Sequence, residues 1–77
     1  MFLEIITPDK KLFSGEVTSV TVPGKKGRFQ ILNRHAPIIS TLQKGDIKVK
    51  SNKEVLNFSV NSGVVEVLNN KIIILAS

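Results

Sequence analysis

The 77-residue sequence predicts an all-β domain: a two-sheet antiparallel β-sandwich, or flattened barrel, of about nine or ten short strands. Nine Val and nine Ile residues favour strands, whereas Ala, the strongest helix former, occurs only twice. No segment repeats apolar residues with helical periodicity, but several alternate apolar and polar residues with period two. Turn-forming residues separate these segments at short intervals, which is typical of small sandwiches and barrels.

The turn signals divide the chain into nine predicted strands. The first and last, residues 2–7 and 71–76, are apolar on both faces, which predicts strands that pair inside the sandwich and are covered on two sides. Asp46–Lys50 and Leu56–Asn61 alternate regularly, as half-buried strands do. Asn69–Asn70 predicts a two-residue hairpin, because Asn tolerates positive φ. The predicted strands are residues 2–7, 10–14, 16–22, 28–32, 38–42, 46–51, 54–60, 64–68 and 71–76.

Length and composition exclude several classes of protein. A chain this short supports one core, so a single domain over residues 1–77 is expected, with no second domain. The longest apolar run, Ile72–Ala76, is far shorter than the roughly 18 residues of a membrane helix, and no secretory signal precedes it. With no cysteine and one histidine, neither a disulfide framework nor a structural zinc site is expected. The net charge of +5 favours an acidic partner or a membrane surface.

A catalytic site is not expected. His35 is the only histidine, and Ser40 and Asp46 follow it, but nothing in their spacing forces a triad to converge. The six carboxylates are scattered singly, whereas glycoside hydrolysis needs a pair and calcium binding needs a cluster. A structural or contact role therefore suits His35 and its loop better than general acid–base catalysis.

The densest basic segment is Pro23–Arg28, Pro-Gly-Lys-Lys-Gly-Arg. Its glycines and lysines are compatible with phosphate binding, but the spacing of a P-loop is absent and a strand follows where a P-loop needs a helix. The segment is better explained as a hairpin loop with solvated lysines that a partner can contact.

Two other binding functions remain as alternatives. A small basic β-barrel is a common architecture for nucleic-acid binding, but single-strand binders add aromatic stacking platforms. This chain has no Trp or Tyr, and its four Phe residues lie in apolar strands. A carrier domain with a lipoyl or biotinyl lysine at Asp9–Lys10 is less favoured, because such domains have two similar halves and none are visible here.

Several motifs, in order and spacing, resemble the epsilon subunit of F-type ATP synthases over nearly all of the chain. The His-Ala-Pro sequence at His35–Pro37, with its flanks, is the most specific of them. The segments that carry the resemblance are Leu12–Val17, Val20–Gly24, Gly27–Ile38, Leu42–Val49 and Val60–Val67.

The resemblance implies a non-catalytic β-sandwich in the central stalk of a proton-translocating complex. Such a subunit joins the gamma subunit to the ring of c subunits and couples proton-driven rotation to ATP synthesis. No cofactor, nucleic acid or metal is implied, and the location is peripheral, on the cytoplasmic side of the bacterial inner membrane. The implied c-ring contacts are Lys26, Gly27, Arg28 and Phe29. The implied gamma contacts are His35, Ala36, Pro37 and Ile38.

The sequence departs from the family pattern in three places. Arg28 stands where many members have a carboxylate. Gln30 replaces a frequent Gly, and Asn33–Arg34 replaces a frequent Pro-Gly, which predicts a different loop before His35. The sequence ends at Ser77, about where many bacterial relatives begin a two-helix domain, so neither nucleotide binding nor a helical inhibitory arm is expected.

Overall fold

The computed structural model describes all 77 residues and consists of strands and turns. It contains no helix long and apolar enough to cross a membrane. Nine strands are present, which confirms the predicted all-β class. They are β1 (Phe2–Ile6), β2 (Lys11–Glu16), β3 (Ser19–Gly24), β4 (Gly27–Leu32), β5 (Ile38–Leu42), β6 (Gly45–Lys50), β7 (Val55–Val60), β8 (Gly63–Leu68) and β9 (Lys71–Ala76).

The strands form two layers that are joined at one corner. One layer has the order β4-β3-β6-β7, and the other has the order β5-β8-β9-β1-β2. The layers meet where β3, after pairing with β6 as far as Thr21, pairs with β5 through Gly24 and Leu42. The first and last strands pair with each other, as expected, but they run parallel, unlike every other pair. Alternation in the sequence does not encode strand direction, so this exception was not predictable from it.

The largest error in the predicted strand boundaries concerns β3. It was predicted at residues 16–22 but covers Ser19–Gly24, because Ser14–Gly15, taken as a turn, extends β2 and pairs with β1. Pro23, also taken as a turn residue, lies inside β3. The strand tolerates it because its partner changes there from β6 to β5, so the missing N–H group breaks no ladder bond.

The turn predicted at Asn69–Asn70 is confirmed. The two residues have φ values of 50° and 60° and connect β8 to β9 as a two-residue hairpin. Positive φ at both central residues gives a turn whose twist matches that of the flanking strands.

The core lies between the two layers and is aliphatic. Alternate residues of most strands point inward, which explains the period-two pattern of the sequence. The buried hydrophobic residues are Leu3, Ile5, Val17, Val20, Val22, Ile31, Leu42, Ile47, Val49, Val60, Val65, Val67, Ile72, Ile74 and Ala76. The prediction that the first and last strands are covered on both faces is wrong, because Leu75 of β9 points outward and is 55% exposed.

One open side of the sandwich is closed by two aromatic rings. Phe13 of β2 and Phe58 of β7 come from the edge strands of the two layers, and their centroids are 6.0 Å apart in an edge-to-face arrangement. Both rings pack against the aliphatic core. The pair therefore joins the two layers where no backbone hydrogen bond connects them.

Candidate protein-interaction surfaces

The β3–β4 hairpin carries the first predicted contact segment, residues 26–29. Gly24 pairs with Gly27 across a two-residue loop, and the exposed Lys25 and Lys26 form its tip. Gly27 has φ of +132°, a conformation that side chains other than glycine rarely adopt. Phe29 points inward and packs against the core, directly beside Gly24.

Arg28 lies on the opposite face of β4 from Phe29, because successive strand residues alternate. Its Nη1 donates a 2.7 Å hydrogen bond to the backbone carbonyl of Asp46 in β6. The Asp46 carboxylate in turn accepts a 2.9 Å hydrogen bond from the Ser59 hydroxyl. The four residues of the predicted segment therefore do not form one patch, since Arg28 binds within the chain on the other side.

Cations collect at one end of the sandwich, where the β3–β4 and β5–β6 loops lie side by side. The N–H of Lys25 donates to the Thr41 carbonyl at 3.0 Å, and the N–H of Gln43 donates to the Pro23 carbonyl at 2.9 Å. We call this region, formed by Lys25, Lys26 and Lys44, the basic end; Arg28 lies beside it on the outer face of β4. None of these three lysines takes part in a salt bridge, because every such contact in the chain involves Glu4 or Glu16. Their charges are available to a partner.

The second predicted contact segment, His35–Ile38, follows a tight turn after β4. Arg34 has a φ of 64°, and the N–H of His35 donates to the Leu32 carbonyl at 3.1 Å. Nδ1 of His35 lies 2.7 Å from the Ala36 carbonyl, so that nitrogen carries a proton and donates it. The half-buried imidazole is thus satisfied by its own loop.

The β8–β9 hairpin holds this turn in place through one side chain. The Asn70 amide oxygen accepts a 2.8 Å hydrogen bond from the N–H of Arg34. Its Nδ2 donates another 2.8 Å bond to the side-chain oxygen of Asn33. Asn33–Arg34, the departure from the family pattern, is therefore the part of the loop that is anchored.

The side chains considered for catalysis have separate partners. Ser40 bonds to the carbonyl of Thr41, Asp46 bonds to Ser59, and His35 bonds to Ala36. No group of three or more His, Cys, Asp or Glu residues is arranged to hold a metal ion. Three of the four Phe residues, Phe13, Phe29 and Phe58, pack against the core, so they offer no stacking platform for nucleic-acid bases.

Two shallow grooves bring the predicted segments together along β5. One, of about 390 Å³, runs between the β3–β4 hairpin and β5, and its lining includes Lys26, Gly27, Phe29 and Ile38. The other, of about 360 Å³, lies beside Pro37 and again includes Ile38. Ile38 thus connects the two segments, whereas His35 and Ala36 line neither groove.

The outer face of the five-stranded layer carries an apolar surface that sequence reasoning missed. Register places Ile39 beside Glu66, and Val64 beside Leu75, all pointing away from the core. The exposed side chains are Ile39 at 71%, Leu75 at 55%, Leu68 at 51% and Val64 at 40%. We call these four residues the apolar face. For Leu75 the signal was present in the sequence as a strand apolar on both faces, but it was interpreted as coverage within the domain.

The outer face of the four-stranded layer differs from the apolar face in polarity. Register aligns Gln30, Thr21, Lys48 and Asn57 across β4, β3, β6 and β7. All four side chains in this row are polar, and the exposed apolar residues of this layer, Leu32 and Val55, lie apart on its two edge strands, so the two outer faces have different chemistry. A partner that buries apolar surface would therefore select only one of them.

A carboxylate with two lysines borders the apolar face. Glu4 of β1 lies 2.8 Å from the ammonium group of Lys11 and 3.8 Å from that of Lys71. The hydrogen bond from Lys11, together with the charges of both lysines, lowers the pKa of Glu4 below its ordinary value, although partial burial acts in the opposite direction. A further carboxylate, Glu66, points outward between Val64 and Leu68 on β8, so it lies within the apolar face.

Comparison with known proteins identifies one family. The family described as "ATP synthase, Delta/Epsilon chain, beta-sandwich domain" matches residues 1–77. The ATP synthase epsilon chain of Chlorobium limicola is 46% identical over 74 residues, which span 95% of this chain and 84% of that protein. The epsilon chain of Leptospira borgpetersenii is 41% identical over 73 residues, spanning 95% of this chain but only 58% of that protein.

Solved structures reproduce the fold. A chain in the central stalk and c-ring structure of the Tetrahymena thermophila mitochondrial ATP synthase superposes with a TM-score of 0.86 at 21% identity, covering 97% of this chain and 61% of that one. A chain in the Euglena gracilis mitochondrial ATP synthase superposes with a TM-score of 0.89 at 18% identity, covering 96% of this chain and 48% of that one. At these identities the likeness concerns the fold.

Proposed function

Because this chain belongs to the family of the ATP synthase delta/epsilon chain β-sandwich domain, we propose that it is a non-catalytic subunit of the central stalk. In this role it joins the gamma subunit to the ring of c subunits, so that proton-driven rotation of the ring turns gamma. The subunit is peripheral to the bacterial inner membrane, on its cytoplasmic side, and is held there by its partners. The observation that carries the proposal is that a sandwich with the fold of this family exposes two surfaces of different chemistry, the apolar face and the basic end.

The apolar face is the proposed docking surface for gamma. It adjoins the His35–Ile38 segment through Ile39, and a cluster of exposed apolar side chains is typical of a protein interface. Burying one Leu or Ile side chain contributes about 1.5–3 kcal/mol when the side chain starts fully exposed. Leu68 and Leu75 are about half exposed, so each is expected to contribute about 1 kcal/mol.

The basic end is the proposed contact with the c ring. Lys25, Lys26 and Lys44 have no carboxylate partner within the chain, so they suit c-subunit loops that carry acidic residues. The reversed charge at Arg28 fits the same polarity. Because its guanidinium is held by the Asp46 carbonyl, Arg28 contributes long-range charge, and the lysines make the direct contacts.

A joint that transmits torque must resist shear between these two surfaces. The strand that carries Val64 and Leu68 outward also carries Val65 and Val67 into the core. The apolar face therefore cannot slide without breaking backbone ladders and disturbing a close-packed interior. This rigidity supports a mechanical role without requiring an active site.

The test is recovery of partners from native membranes with a tagged form of the chain. We expect gamma and c subunits to copurify with the unaltered chain. The variant Leu68→Asn with Leu75→Asn should lose gamma, and Lys25→Glu with Lys26→Glu should lose the c ring at moderate salt. Two matched controls are Val55→Asn, at an exposed apolar site on β7, and Lys48→Glu on the polar outer face; both should retain the partners. Failure of the unaltered chain to recover either subunit would overturn the proposal.

A further inference from the structure

The strand β5 has one backbone edge that is largely unpaired. On one side β5 pairs with β8 along its whole length. On the other side its only ladder partner is Gly24 of β3, opposite Leu42 at the far end. Residues 38–40 therefore present a free edge to the groove of about 390 Å³ between β5 and the β3–β4 hairpin.

Two independent hydrogen-bond registers show which groups point into this groove. In an antiparallel ladder, alternate residues direct both N–H and C=O to the same neighbour. The two-residue hairpin at Asn69–Asn70 directs residues 64, 66 and 68 towards β9, so Val65 and Val67 bond to Ser40 and Ile38 of β5. Consistently, the Thr41 carbonyl points away from β8, because it accepts the N–H of Lys25.

The groups that remain without a partner are therefore those of alternate residues. The N–H and C=O of Ile39, the N–H of Thr41 and the C=O of Pro37 all face the groove, and none of them has a backbone partner outside the ladders. Two donors and two acceptors in this spacing match one added antiparallel strand. An unpaired strand edge of this kind is a template for strand addition unless the protein covers or charges it.

The side chains around the edge indicate what such a strand would carry. Phe29, Ile38 and Ile39 supply apolar walls, and Lys25 and Lys26 stand at the Thr41 end. No carboxylate lines this groove. The complementary segment is extended, has apolar residues in alternation, and ends before the two lysines, which the proposed function assigns to the c ring.

We propose that an extended segment of the gamma subunit binds by strand addition to β5, pairing with Ile39 and Thr41. This inference rests on the proposed function and specifies its binding mode: gamma continues the five-stranded layer beyond β5, in addition to covering the apolar face. The added strand would occupy the space between β5 and β4, and so would cover the free edge of β5.

The direct test is amide hydrogen exchange, followed by NMR, with the full chain alone and in complex with purified gamma from the same source. In the free chain, the amides of Ile39 and Thr41 should exchange rapidly and the amide of Ser40, which bonds to β8, should be protected. Addition of gamma should slow exchange at Ile39 and Thr41 by at least about tenfold. If gamma binds but these two amides remain unprotected, strand addition is wrong and the proposed function stands. If gamma does not bind, both fail.

A pair of variants at one position separates backbone pairing from side-chain contact. Ile39→Ala removes the exposed side chain and keeps the N–H, whereas Ile39→Pro removes the N–H as well, without breaking a bond to β8. We expect Ile39→Pro to raise the Kd for gamma by about a further tenfold over Ile39→Ala, the effect of losing one paired main-chain group. Thermal unfolding of both variants checks that the sandwich is intact. Equal affinities of two folded variants would overturn the inference.

Discussion

The contact between Phe13 and Phe58 should couple the two layers of the sandwich measurably. The rings are 6.0 Å apart with an interplanar angle of 64°, an arrangement that contributes about 0.5–1.5 kcal/mol beyond simple burial. Truncating a fully buried Phe to Ala costs about 3–5 kcal/mol, and these rings are half-buried, so about 2–3 kcal/mol is expected for each single variant. The double variant should cost less than the sum by the coupling energy.

The measurement is a double-mutant cycle in urea, with Phe13→Ala, Phe58→Ala and the combined variant. Two-state unfolding and a constant m value are needed for the comparison, and a changed m value would indicate that the edge strands had opened. Phe2→Ala is the matched control, because its ring lies 5.8 Å below the Lys71 ammonium group on the outer face. The control should combine additively with Phe58→Ala, within about 0.5 kcal/mol. A coupling energy below about 0.3 kcal/mol between Phe13 and Phe58 would refute the reasoning, given the range quoted for aromatic pairs.

Three further predictions concern a glycine, a carboxylate and a turn. Gly24→Ala should destabilise the domain by about 1–3 kcal/mol in urea unfolding, because its Cβ would lie 2.7 Å from the Gly27 carbonyl oxygen; an unchanged midpoint would contradict this. Lys11 lowers the pKa of Glu4 in the folded chain, so the ionised carboxylate stabilises the fold fully above the ordinary pKa of 4.5, and this stabilisation is lost as pH falls through the lowered pKa. The difference in free energy of unfolding between the unaltered chain and Glu4→Gln should therefore disappear only below pH 4.5. Asn70→Gly keeps the positive φ but removes the bonds to the β4–β5 loop, so amide protection in residues 33–36 should fall while the free energy of unfolding drops by about 1 kcal/mol or less; unchanged protection would argue against the anchor.

Most of the strands were predictable because they obey a local rule. Val49, Ile47 and their neighbours alternate with lysines, so period two alone identifies β6 and its inward face. The Asn69–Asn70 hairpin was equally local, since only positive φ values fit its position. The beginning of β3 could not be predicted from local sequence, because it depends on where β2 ends. Gly15 is compatible with a turn, and its place in β2 depends on pairing with Leu3, which is distant in the chain.

The surfaces were harder to predict because they depend on which strands become neighbours. Arg28 and Phe29 are adjacent in sequence and were grouped as one contact, but alternation sends them to opposite faces. The apolar face was missed for a related reason. Val64 and Val65 are both apolar, and the sequence cannot say whether the outward one is covered by another layer of this chain or by a partner.

The two proposed contacts should respond differently to salt, and this difference follows from their chemistry. Exposed ion pairs contribute about 0–1 kcal/mol each and weaken beyond a Debye length of about 8 Å at physiological ionic strength. Attachment through the basic end alone would therefore be weak and salt-sensitive. Apolar burial and strand pairing on β5 are much less sensitive to screening by salt, so the contact with gamma is expected to persist when the salt concentration is raised. In the proposed assembly the sandwich stays with gamma, and the lysines at 25, 26 and 44 set its register on the c ring.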